Sequence, residues 1–451
     1  MERESFASRL GFILVSAGCA IGAGNVWRFP YITGKNGGAA FVLIYLLFLV
    51  IMGLPVMVAE FSIGRASRRN LASGMRILEP KGKKWHIYGY IGIFGSLLLM
   101  MFYTTISGWF LGYFYHMVAG HFTGLTAAEI GGTFASFTTN IPEVLGWATL
   151  VIAIGFLVCA LGLRNGVERV TKIMMIALFL LMVLLIGRAI TLPDATEGLR
   201  FYLRPDFSKL SWNGVYDAMG QAFFTLSLGI GSMTIFGSYV NKERTLIGES
   251  VNIIVLDLLV AFMAGLIIFP TCASFGVNVA EGPGLVFVAL PNIFNSMPSG
   301  RFWGSLFFLF MVFAAMSTVI AVFENLVAFV MDELGWSRRK ASLAGFFVVF
   351  FASLPCVLGF GPLSFIQPLG AGSTILDLED FIVSNNLLPI GSLILVLFCT
   401  LRSGWGWEDF LREANTGRGP GFPERAESYI RYVLPLIIAI IFVMGYLTRF
   451  G

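Results

Sequence analysis

The segment GCAIGAGNVWRFP, residues 18–30, decides how the fold of this chain is interpreted. It lies inside an apolar run long enough to cross a membrane, yet it contains three glycines, an asparagine, an arginine and a proline. Glycine and proline are poor helix formers. The segment therefore predicts a membrane helix that is interrupted in its own middle.

The composition of the whole chain agrees with a membrane location. The 451 residues are 57% hydrophobic and 12% charged, whereas a soluble domain carries roughly 25% charged residues. A spanning helix needs about 20 apolar residues, and strands of alternating polarity, as in a β-barrel, are absent from the sequence pattern. We predict an all-α integral membrane protein with eleven transmembrane helices, at residues 9–35, 39–65, 88–119, 144–162, 167–191, 212–240, 247–276, 303–335, 340–360, 374–402 and 429–449.

The distribution of Lys and Arg predicts the orientation. The segments 65–84, 241–244 and 337–340 are basic, whereas 120–143 and 277–300 contain neither Lys nor Arg. Because basic loops stay on the cytoplasmic side, we expect a cytoplasmic N-terminus and an external C-terminus in the plasma (inner) membrane. The net charge of +4 follows from this loop bias and gives no reason to expect nucleic acid as a partner. The five cysteines and three histidines show no metal-binding or disulfide spacing.

A second interruption lies five spans after the first, in TLSLGIGS at 225–232. Paired broken helices at matching places in two halves of a chain indicate a transporter's binding site. The reason is that backbone groups left unpaired in lipid are tolerated only where they line a cavity or bind a ligand. The alternative is that these glycines only let neighbouring helices pack closely.

Four segments resemble the neurotransmitter:sodium symporter family. They are GNVWRFPYITGKNGGAAFVLIYLL (24–47), LRPDFSKL (203–210), GQAFFTLSLGIGSMTIFGSYV (220–240) and FAAMSTVIAVFENLVAFVMDELGWSRRKA (313–341). The resemblance implies one transporter domain, residues 1–451, built as a five-plus-five inverted repeat with broken helices 1 and 6. The repeats would be 9–191 and 212–402, followed by helix 11 at 429–449. It also implies sodium-coupled symport of hydrophobic L-amino acids by alternating access.

The resemblance further implies two Na⁺ sites. Sodium is a hard cation that takes oxygen ligands. The first site would use the Ala20 carbonyl and the side chains of Asn25, Thr225 and Asp257, together with a substrate carboxylate. The second would use the carbonyls of Gly18, Ile21 and Ala314 and the hydroxyls of Ser317 and Thr318. Judged from the residues alone, these two hydroxyls could instead bond the preceding turn of their own helix.

By the same resemblance, an amino-acid substrate lies between the two breaks. The amides of Ala23 and Gly24 and the Tyr103 hydroxyl would hold its carboxylate, since a half-helix N-terminus favours an anion. Carbonyls of Ala20, Phe224 and Thr225 and the Ser227 hydroxyl would receive its amine. Its side chain would contact Leu99, Tyr103, Ile106, Phe224, Ile230, Thr318 and Val322. Tyr103 could alternatively belong to an interfacial aromatic belt.

Two positions distinguish this chain from some relatives. Monoamine-transporting relatives carry Asp where this chain has Gly22, which leaves room for a substrate with its own carboxylate. Chloride-dependent relatives carry Asn and, four residues later, Ser; here these are Asp257 and Ala261. A fixed carboxylate inside the membrane is a functional candidate. It can offset the positive charge of sodium as chloride does in those relatives, so we expect no chloride requirement. We consider proton antiport an added step. The alternative is an acid that snorkels from a helix end.

The resemblance also implies two gates. The outer gate would pair Arg28 with Asp380 through Gln221, above a lid of Tyr103 and Phe224. The cytoplasmic gate would pair Arg3 with Asp332, with Ser238 and Tyr239 nearby and Phe6 in place of the usual Trp. Relatives often have Pro ten residues after the Gly that matches Gly166; here that residue is Ile176. We therefore expect a straighter fifth helix and a different sodium-release route.

Other functions remain open at this stage. A sodium-coupled transporter of another small organic solute, indole-like or amine-like, would share these motifs, and so would a channel or a non-transporting sensor of the same fold. The sequence contains no G-x-S-x-G, HExxH or P-loop motif, so we do not expect an enzyme. The expected partners are a small-molecule amino-acid substrate, with a large aliphatic or aromatic side chain, and the lipid bilayer; no obligate protein partner is evident.

Overall fold

The computed structural model describes residues 3–277, 279 and 284–450, with the backbone alone at 448 and 449. Residues 1, 2 and 451 of the predicted domain, and part of the loop 277–300, lie outside the described residues. Throughout the described part the regular structure is helical, with one isolated bridge between Arg244 and Arg418.

The helices are numbered below by the predicted spans to which they correspond. They are Arg9–Ala20 with Gly24–Lys35 (first), Ala39–Ser67 (second), His86–Ala119 (third), Ile141–Ala160 (fourth), Leu163–Ala189 (fifth), Trp212–Thr225 with Ser232–Ser238 (sixth), Leu246–Ser274 (seventh), Gly300–Leu334 (eighth), Arg338–Leu358 (ninth), Ile375–Thr400 (tenth) and Glu424–Leu447 (eleventh). Shorter connecting helices are Leu71–Leu78, Ala127–Thr139, Ala195–Leu203, Leu285–Ser296 and Trp407–Ala414.

Judged by the length of the helices, the described residues contain fewer membrane spans than the sequence predicts. Within the described residues, nine helices are long and apolar enough to cross a membrane, or ten if the two halves of the first helix form one span. These halves meet at an angle of 58°. The sixth helix does not reach the length of a span because it is divided into two short pieces. The eleven-helix count and the inverted repeat therefore remain predictions.

The functional centre lies among helices that are buried on most sides. The third and eighth helices are each 78% buried over their apolar windows, whereas the fifth, ninth and eleventh are only 28–33% buried. In the inner half of the first helix every residue from Gly11 to Ala20 is buried. A helix that is apolar all round belongs inside a bundle, so the first helix is central and the less buried helices face lipid.

The break in the sixth helix is stabilised by side chains from its neighbours. Gly229 and Gly231 have φ values of +97° and +88°, which glycine adopts readily. Ser227 also has a positive φ, of +50°. The Gly229 amide donates to the buried carboxylate of Glu60, and the Tyr88 hydroxyl donates to the Gly229 carbonyl at 2.7 Å. These partners satisfy backbone groups that an intact helix would otherwise pair.

Candidate functional site

The break in the first helix directs backbone amides towards polar side chains. The Gly22 amide donates to Asn25 Oδ1 at 3.1 Å, and the Ala23 amide donates to the Tyr103 hydroxyl at 3.0 Å. Tyr103 is 8% exposed and lies in the middle of the third helix. A helix start with amides aimed at a hydroxyl is suited to binding an anion, and the structure brings these predicted carboxylate-binding groups together.

Two glycines at this break leave no room for a side chain. A Cβ on Gly22 would lie 2.6 Å from the Tyr103 hydroxyl oxygen and 2.9 Å from Thr318 Oγ1. A Cβ on Gly24 would lie 2.6 Å from a ring carbon of Phe224. The absence of side chains at these positions therefore allows the third, sixth and eighth helices to approach the broken segment.

Asp257 is the centre of a buried polar cluster. It is 0% exposed and lies well inside the seventh helix, away from either end. Asn25 Nδ2 donates to Asp257 Oδ1 at 2.8 Å, and the Thr225 hydroxyl donates to Asp257 Oδ2 at 3.0 Å. These are three of the predicted ligands of the first sodium site, and they supply carboxylate, amide and hydroxyl oxygens of the kind that a hard cation prefers.

The predicted ligands of the second sodium site also meet. Thr318 Oγ1 lies 3.3 Å from the Gly18 carbonyl and 3.1 Å from the Ile21 carbonyl. Ser317 Oγ lies 3.3 Å from the Ile21 carbonyl and also bonds the Ala314 carbonyl of its own helix at 2.9 Å. Both hydroxyls thus reach the first helix. The predicted ligands of this second site are all oxygen atoms. Among the described residues, no group of three His, Cys, Asp or Glu side chains is arranged to hold a metal ion.

A small cavity of about 30 Å³ lies between the two breaks. Most predicted substrate contacts line it, whereas Ala23, Ile106, Ile230 and Val322 are buried outside its lining. The lining also includes three residues that sequence reasoning missed. The lining residues are Cys19, Ala20, Gly22, Gly24, Asn25, Leu99, Tyr103, Phe224, Thr225, Ser227, Thr318, Val383 and Leu388.

Two of the missed residues come from an irregular turn. Val383 and Leu388 are five residues apart at the π-helical stretch Ile382–Leu387 of the tenth helix. A π-helix pairs residues five apart, so both side chains reach the cavity. A search at the α-helical period of 3.6 residues does not place them on one face, and no other feature of the sequence marks them.

The predicted outer ion pair is not formed, and this prediction needs correction for the present conformation. Within the described residues Arg28 has no salt bridge to Asp380, whose Oδ1 accepts from the Ser384 hydroxyl at 2.6 Å instead. The side-chain amide of Gln221 is buried without a partner and bridges nothing. The Arg28 guanidinium lies 4.2 Å from the ring centre of Phe224, a cation–π contact that replaces the ion pair. Arg28 therefore covers the lid directly.

The predicted cytoplasmic gate is closed. Arg3 Nη1 lies 2.7 Å from Asp332 Oδ1, and Arg3 Nε donates to the Ser238 hydroxyl at 3.0 Å. The guanidinium also lies 4.7 Å from the ring centre of Tyr239, against which Phe6 packs edge-on at 5.8 Å. The gate residues are thus brought together on the side that the sequence assigns to the cytoplasm.

A further chain of charges extends this gate and was missed from the sequence. The Tyr239 hydroxyl donates to Glu324 at 2.6 Å, and the Glu324 carboxylate pairs with Arg338 at 2.6 Å. Arg338 also pairs with Glu4 at 2.9 Å. Glu324 is fully buried, and a buried charge requires such partners. The N-terminal segment is therefore attached to the sixth, eighth and ninth helices together.

Removing the charge of Asp332 is expected to loosen the cytoplasmic gate. In Asp332→Asn the Arg3 guanidinium would lose its partner in a site where the Asp332 side chain is 4% exposed. Breaking a buried pair costs about 3–5 kcal/mol, so labelling of a cysteine placed at Ser5 by a cytoplasmic thiol reagent should speed up. Asp409→Asn, which removes an exposed pair with Arg412, is the control. Equal labelling rates in both variants would contradict a gating role for Asp332.

Comparison with known families and structures gives a consistent result. The chain matches the model of the Sodium:neurotransmitter symporter family over residues 3–127 and 138–448. It is 37% identical over 442 residues to the "Uncharacterized sodium-dependent transporter YhdH" of Bacillus subtilis (strain 168), which covers 97% of this chain and 96% of that protein. It is 28% identical to the "Sodium- and chloride-dependent taurine transporter" of Bos taurus, over 86% of this chain and 69% of that one.

One solved structure is similar over nearly the whole length. The crystal structure of MhsT in complex with L-phenylalanine superimposes with a TM-score of 0.88 at 38% sequence identity. The alignment covers 98% of this chain and 100% of MhsT. The similarity therefore extends over nearly the whole helical fold.

Proposed function

Because the chain belongs to the Sodium:neurotransmitter symporter family, we propose that it brings hydrophobic L-amino acids into the cell by sodium-coupled symport and alternating access. Members of this family are transporters and not enzymes. The observation that carries the proposal is the break at Gly22. There the Ala23 amide bonds the Tyr103 hydroxyl, and Tyr103 lines one cavity together with members of both candidate sodium sites, namely Ala20, Asn25, Thr225 and Thr318.

The substrate class follows from what the cavity offers. The Ala23 amide and the Tyr103 hydroxyl suit a carboxylate, and the absence of a side chain at Gly22 means that the protein supplies no competing acid there. Leu99, Val383 and Leu388 give the lining an apolar side without a basic group. MhsT, which is similar in structure, is in complex with L-phenylalanine. A cavity of about 30 Å³ must expand to admit such a side chain, so binding includes movement of the lid.

Two sodium ions would be bound on either side of the break. The first would lie against Asn25, Thr225 and Asp257, and the second against Ser317 and Thr318 with carbonyls of the first helix. Asp257 would supply the fixed negative charge that accompanies sodium, and Ala261 offers no hydroxyl for chloride. We therefore propose transport without chloride. After sodium leaves, Asp257 would take up a proton, since an unpaired buried carboxylate is disfavoured.

Alternating access would use the two gates described above. Opening the outer side requires Arg28 and Phe224 to move from the cavity, and opening the inner side requires the Arg3–Asp332 pair to separate. Charged pairs that form in one state and break in another suit a two-state transition. We place the protein in the plasma (inner) membrane with a cytoplasmic N-terminus, because the basic loops lie on the side of this closed gate.

The substrate class is tested by equilibrium binding to the purified protein. Radiolabelled phenylalanine, leucine, glutamate, lysine, tryptamine and indole would be compared in sodium and in potassium buffers. We expect sodium-dependent binding of phenylalanine and leucine alone. If tryptamine or indole bound and none of the amino acids did, the alternative substrate classes would be favoured. Binding that is equal in potassium would contradict sodium coupling.

The second sodium site is tested by Thr318→Val, which keeps the shape of the side chain and removes its hydroxyl. The hydroxyl contacts the Gly18 and Ile21 carbonyls, and loss of one charge-assisted bond costs about 1.5–3 kcal/mol. The sodium concentration at which binding is half-saturated should therefore rise about tenfold or more. Thr400→Val is the control, because this buried hydroxyl bonds its own helix at Val396. A sodium titration that is unchanged in Thr318→Val would remove this ligand.

A further inference from the structure

A second cavity lies beside the closed gate, at the end of the molecule that the sequence assigns to the cytoplasm. Its volume is about 240 Å³, compared with about 30 Å³ for the cavity between the two helix breaks. Since a drug-sized ligand occupies about 300–1,000 Å³, this cavity is suited to a smaller molecule. We call it the cytoplasmic cavity; it is lined by residues 6–9, 12, 239–241, 243, 244 and 249.

Glu249 is the unusual residue of the cytoplasmic cavity. Its side chain is 4% exposed, and its Oε1 accepts from Arg9 Nε at 2.9 Å. Its Oε2 has no hydrogen-bond partner among the described residues. Buried polar groups almost always have a partner, and each exception calls for an explanation. A turn of the carboxylate would present Oε2 to the cavity, where a bound ammonium group would supply the missing donor.

Arg9 places a positive charge directly beside this carboxylate. Its side chain is 49% exposed, and Nε is the atom that bonds Glu249. The two terminal nitrogens of the guanidinium are then able to bind a carboxylate, which Arg often does through two parallel bonds. Arg244 and Glu243 add one charge of each sign to the lining. The cytoplasmic cavity therefore offers both signs of charge and carries no net charge.

Aromatic rings form the apolar wall of the cytoplasmic cavity. The ring centre of Phe6 lies 5.6 Å from that of Phe12 and 5.8 Å from that of Tyr239, and all three residues line the cavity. An α-amino acid carries its ammonium and carboxylate groups on a single carbon atom, so it needs two opposite charges that are adjacent, as Arg9 and Glu249 are. Such a pair beside aromatic rings complements a zwitterion with an apolar side chain.

We propose that the cytoplasmic cavity is a second binding site for a hydrophobic amino acid, through which the imported product slows its own import; the inference rests on the proposed function. The ammonium group of the ligand pairs with Glu249 and its carboxylate with Arg9, while its side chain lies against Phe6 and Phe12. This site is separate from the one between the two helix breaks, and it contains none of the candidate sodium ligands.

The position of the cytoplasmic cavity explains why its ligand would slow transport. One wall is the N-terminal segment at Phe6 and Arg9, and the other is formed by Tyr239 after the sixth helix and Glu249 in the seventh. A ligand that contacts both walls joins the N-terminal segment to the bundle, as the Arg3–Asp332 pair does. Because a ligand shifts an equilibrium towards the state that it binds better, the bound amino acid favours the closed gate.

The test measures how fast a thiol reagent labels the purified Ser5→Cys variant in potassium buffer, where the transport site lacks the sodium that it is proposed to need. Ser5 is outside the lining of the cavity, and the five native cysteines are buried. At the ligand efficiency typical of drug-sized molecules, about twelve non-hydrogen atoms give a dissociation constant of about 2 mM. Phenylalanine at about 20 mM should therefore slow labelling about tenfold.

Matched ligands and variants identify the groups that bind. Phenylacetate lacks the ammonium group and phenethylamine lacks the carboxylate, so neither should slow labelling. Glu249→Gln and Arg9→Gln, each added to Ser5→Cys, should abolish the effect of phenylalanine. The quantity compared is the ratio of rates with and without phenylalanine, because loss of the Arg9–Glu249 pair also changes the basal rate. Glu408→Gln, which neutralises an exposed acid outside the cavity, should keep the tenfold ratio.

The effect on transport is measured as initial sodium-driven uptake into proteoliposomes that are empty or preloaded with about 20 mM phenylalanine. Preloading should slow uptake by the wild type and should slow it less in Glu249→Gln. Equal slowing in the two proteins would overturn the regulatory role.

Three labelling results would overturn the site itself. They are a rate that phenylalanine does not change, slowing that persists in both Glu249→Gln and Arg9→Gln, and equal slowing by phenylacetate or phenethylamine. If phenylalanine slows labelling as expected but sodium drives no accumulation of it, the proposed function fails and the cytoplasmic binding site stands.

Discussion

Asp257→Asn combined with Ala261→Ser is expected to make uptake depend on chloride. In the wild type Asp257 is fully buried and bonds both Asn25 and Thr225. Removing one partner of a buried charge set costs about 3–5 kcal/mol. Asp257→Asn alone should therefore lower uptake about a hundredfold or more. The added serine hydroxyl would help an external chloride to restore the missing charge.

The measurement is initial uptake in chloride and in gluconate, at equal sodium. The wild type should transport equally in both, and the double variant should transport in chloride alone. Glu379→Gln is the control, because it neutralises another buried carboxylate, at the start of the tenth helix. This variant should transport equally in chloride and in gluconate, as the wild type does. A double variant that is as active in gluconate as in chloride would show that sodium's charge is balanced elsewhere.

Gly22→Asp is expected to abolish amino-acid binding. The new Cβ would lie 2.6 Å from the Tyr103 hydroxyl oxygen and 2.9 Å from Thr318 Oγ1, and overpacking of this kind costs about 1–3 kcal/mol. The added carboxylate would also repel the substrate carboxylate beside the Ala23 amide. Together these effects should weaken binding of phenylalanine by about a hundredfold or more.

Two further variants separate size from charge at this position. Gly22→Ala adds the Cβ alone and should lose part of the affinity. Gly132→Asp introduces the same carboxylate where no atom lies within 4 Å of its Cβ, and it should bind phenylalanine as the wild type does. If Gly22→Asp bound phenylalanine as well as Gly22→Ala, the substrate carboxylate would not lie at this break.

Several features of the site could be predicted because they follow from local chemistry. Several glycines within an apolar run predict a helix break, and the two halves of the first helix meet at an angle of 58°. A single acid among apolar neighbours predicts a buried polar partner, and Asp257 has Asn25 and Thr225. The resemblance placed Arg3 beside Asp332, and that pair is formed.

Other features depend on tertiary structure that local sequence does not encode. The Arg28 guanidinium has two suitable partners, an acid and an aromatic ring, and its choice of Phe224 depends on the conformation of the lid. Val383 reaches the cavity through a π-helical turn, whose register an α-helical period misses. Glu168 caps a helix start 160 residues earlier in the chain, and a sequence separation of that size gives no pattern to read.

The central claim is that sodium drives the accumulation of a hydrophobic amino acid without chloride. The most direct measurement uses proteoliposomes loaded with potassium gluconate and diluted into sodium gluconate with radiolabelled L-phenylalanine. We predict that phenylalanine accumulates above its external concentration and leaks out again when sodium is equalised across the membrane. Uptake that only reaches the external concentration, or that needs chloride, would contradict the claim.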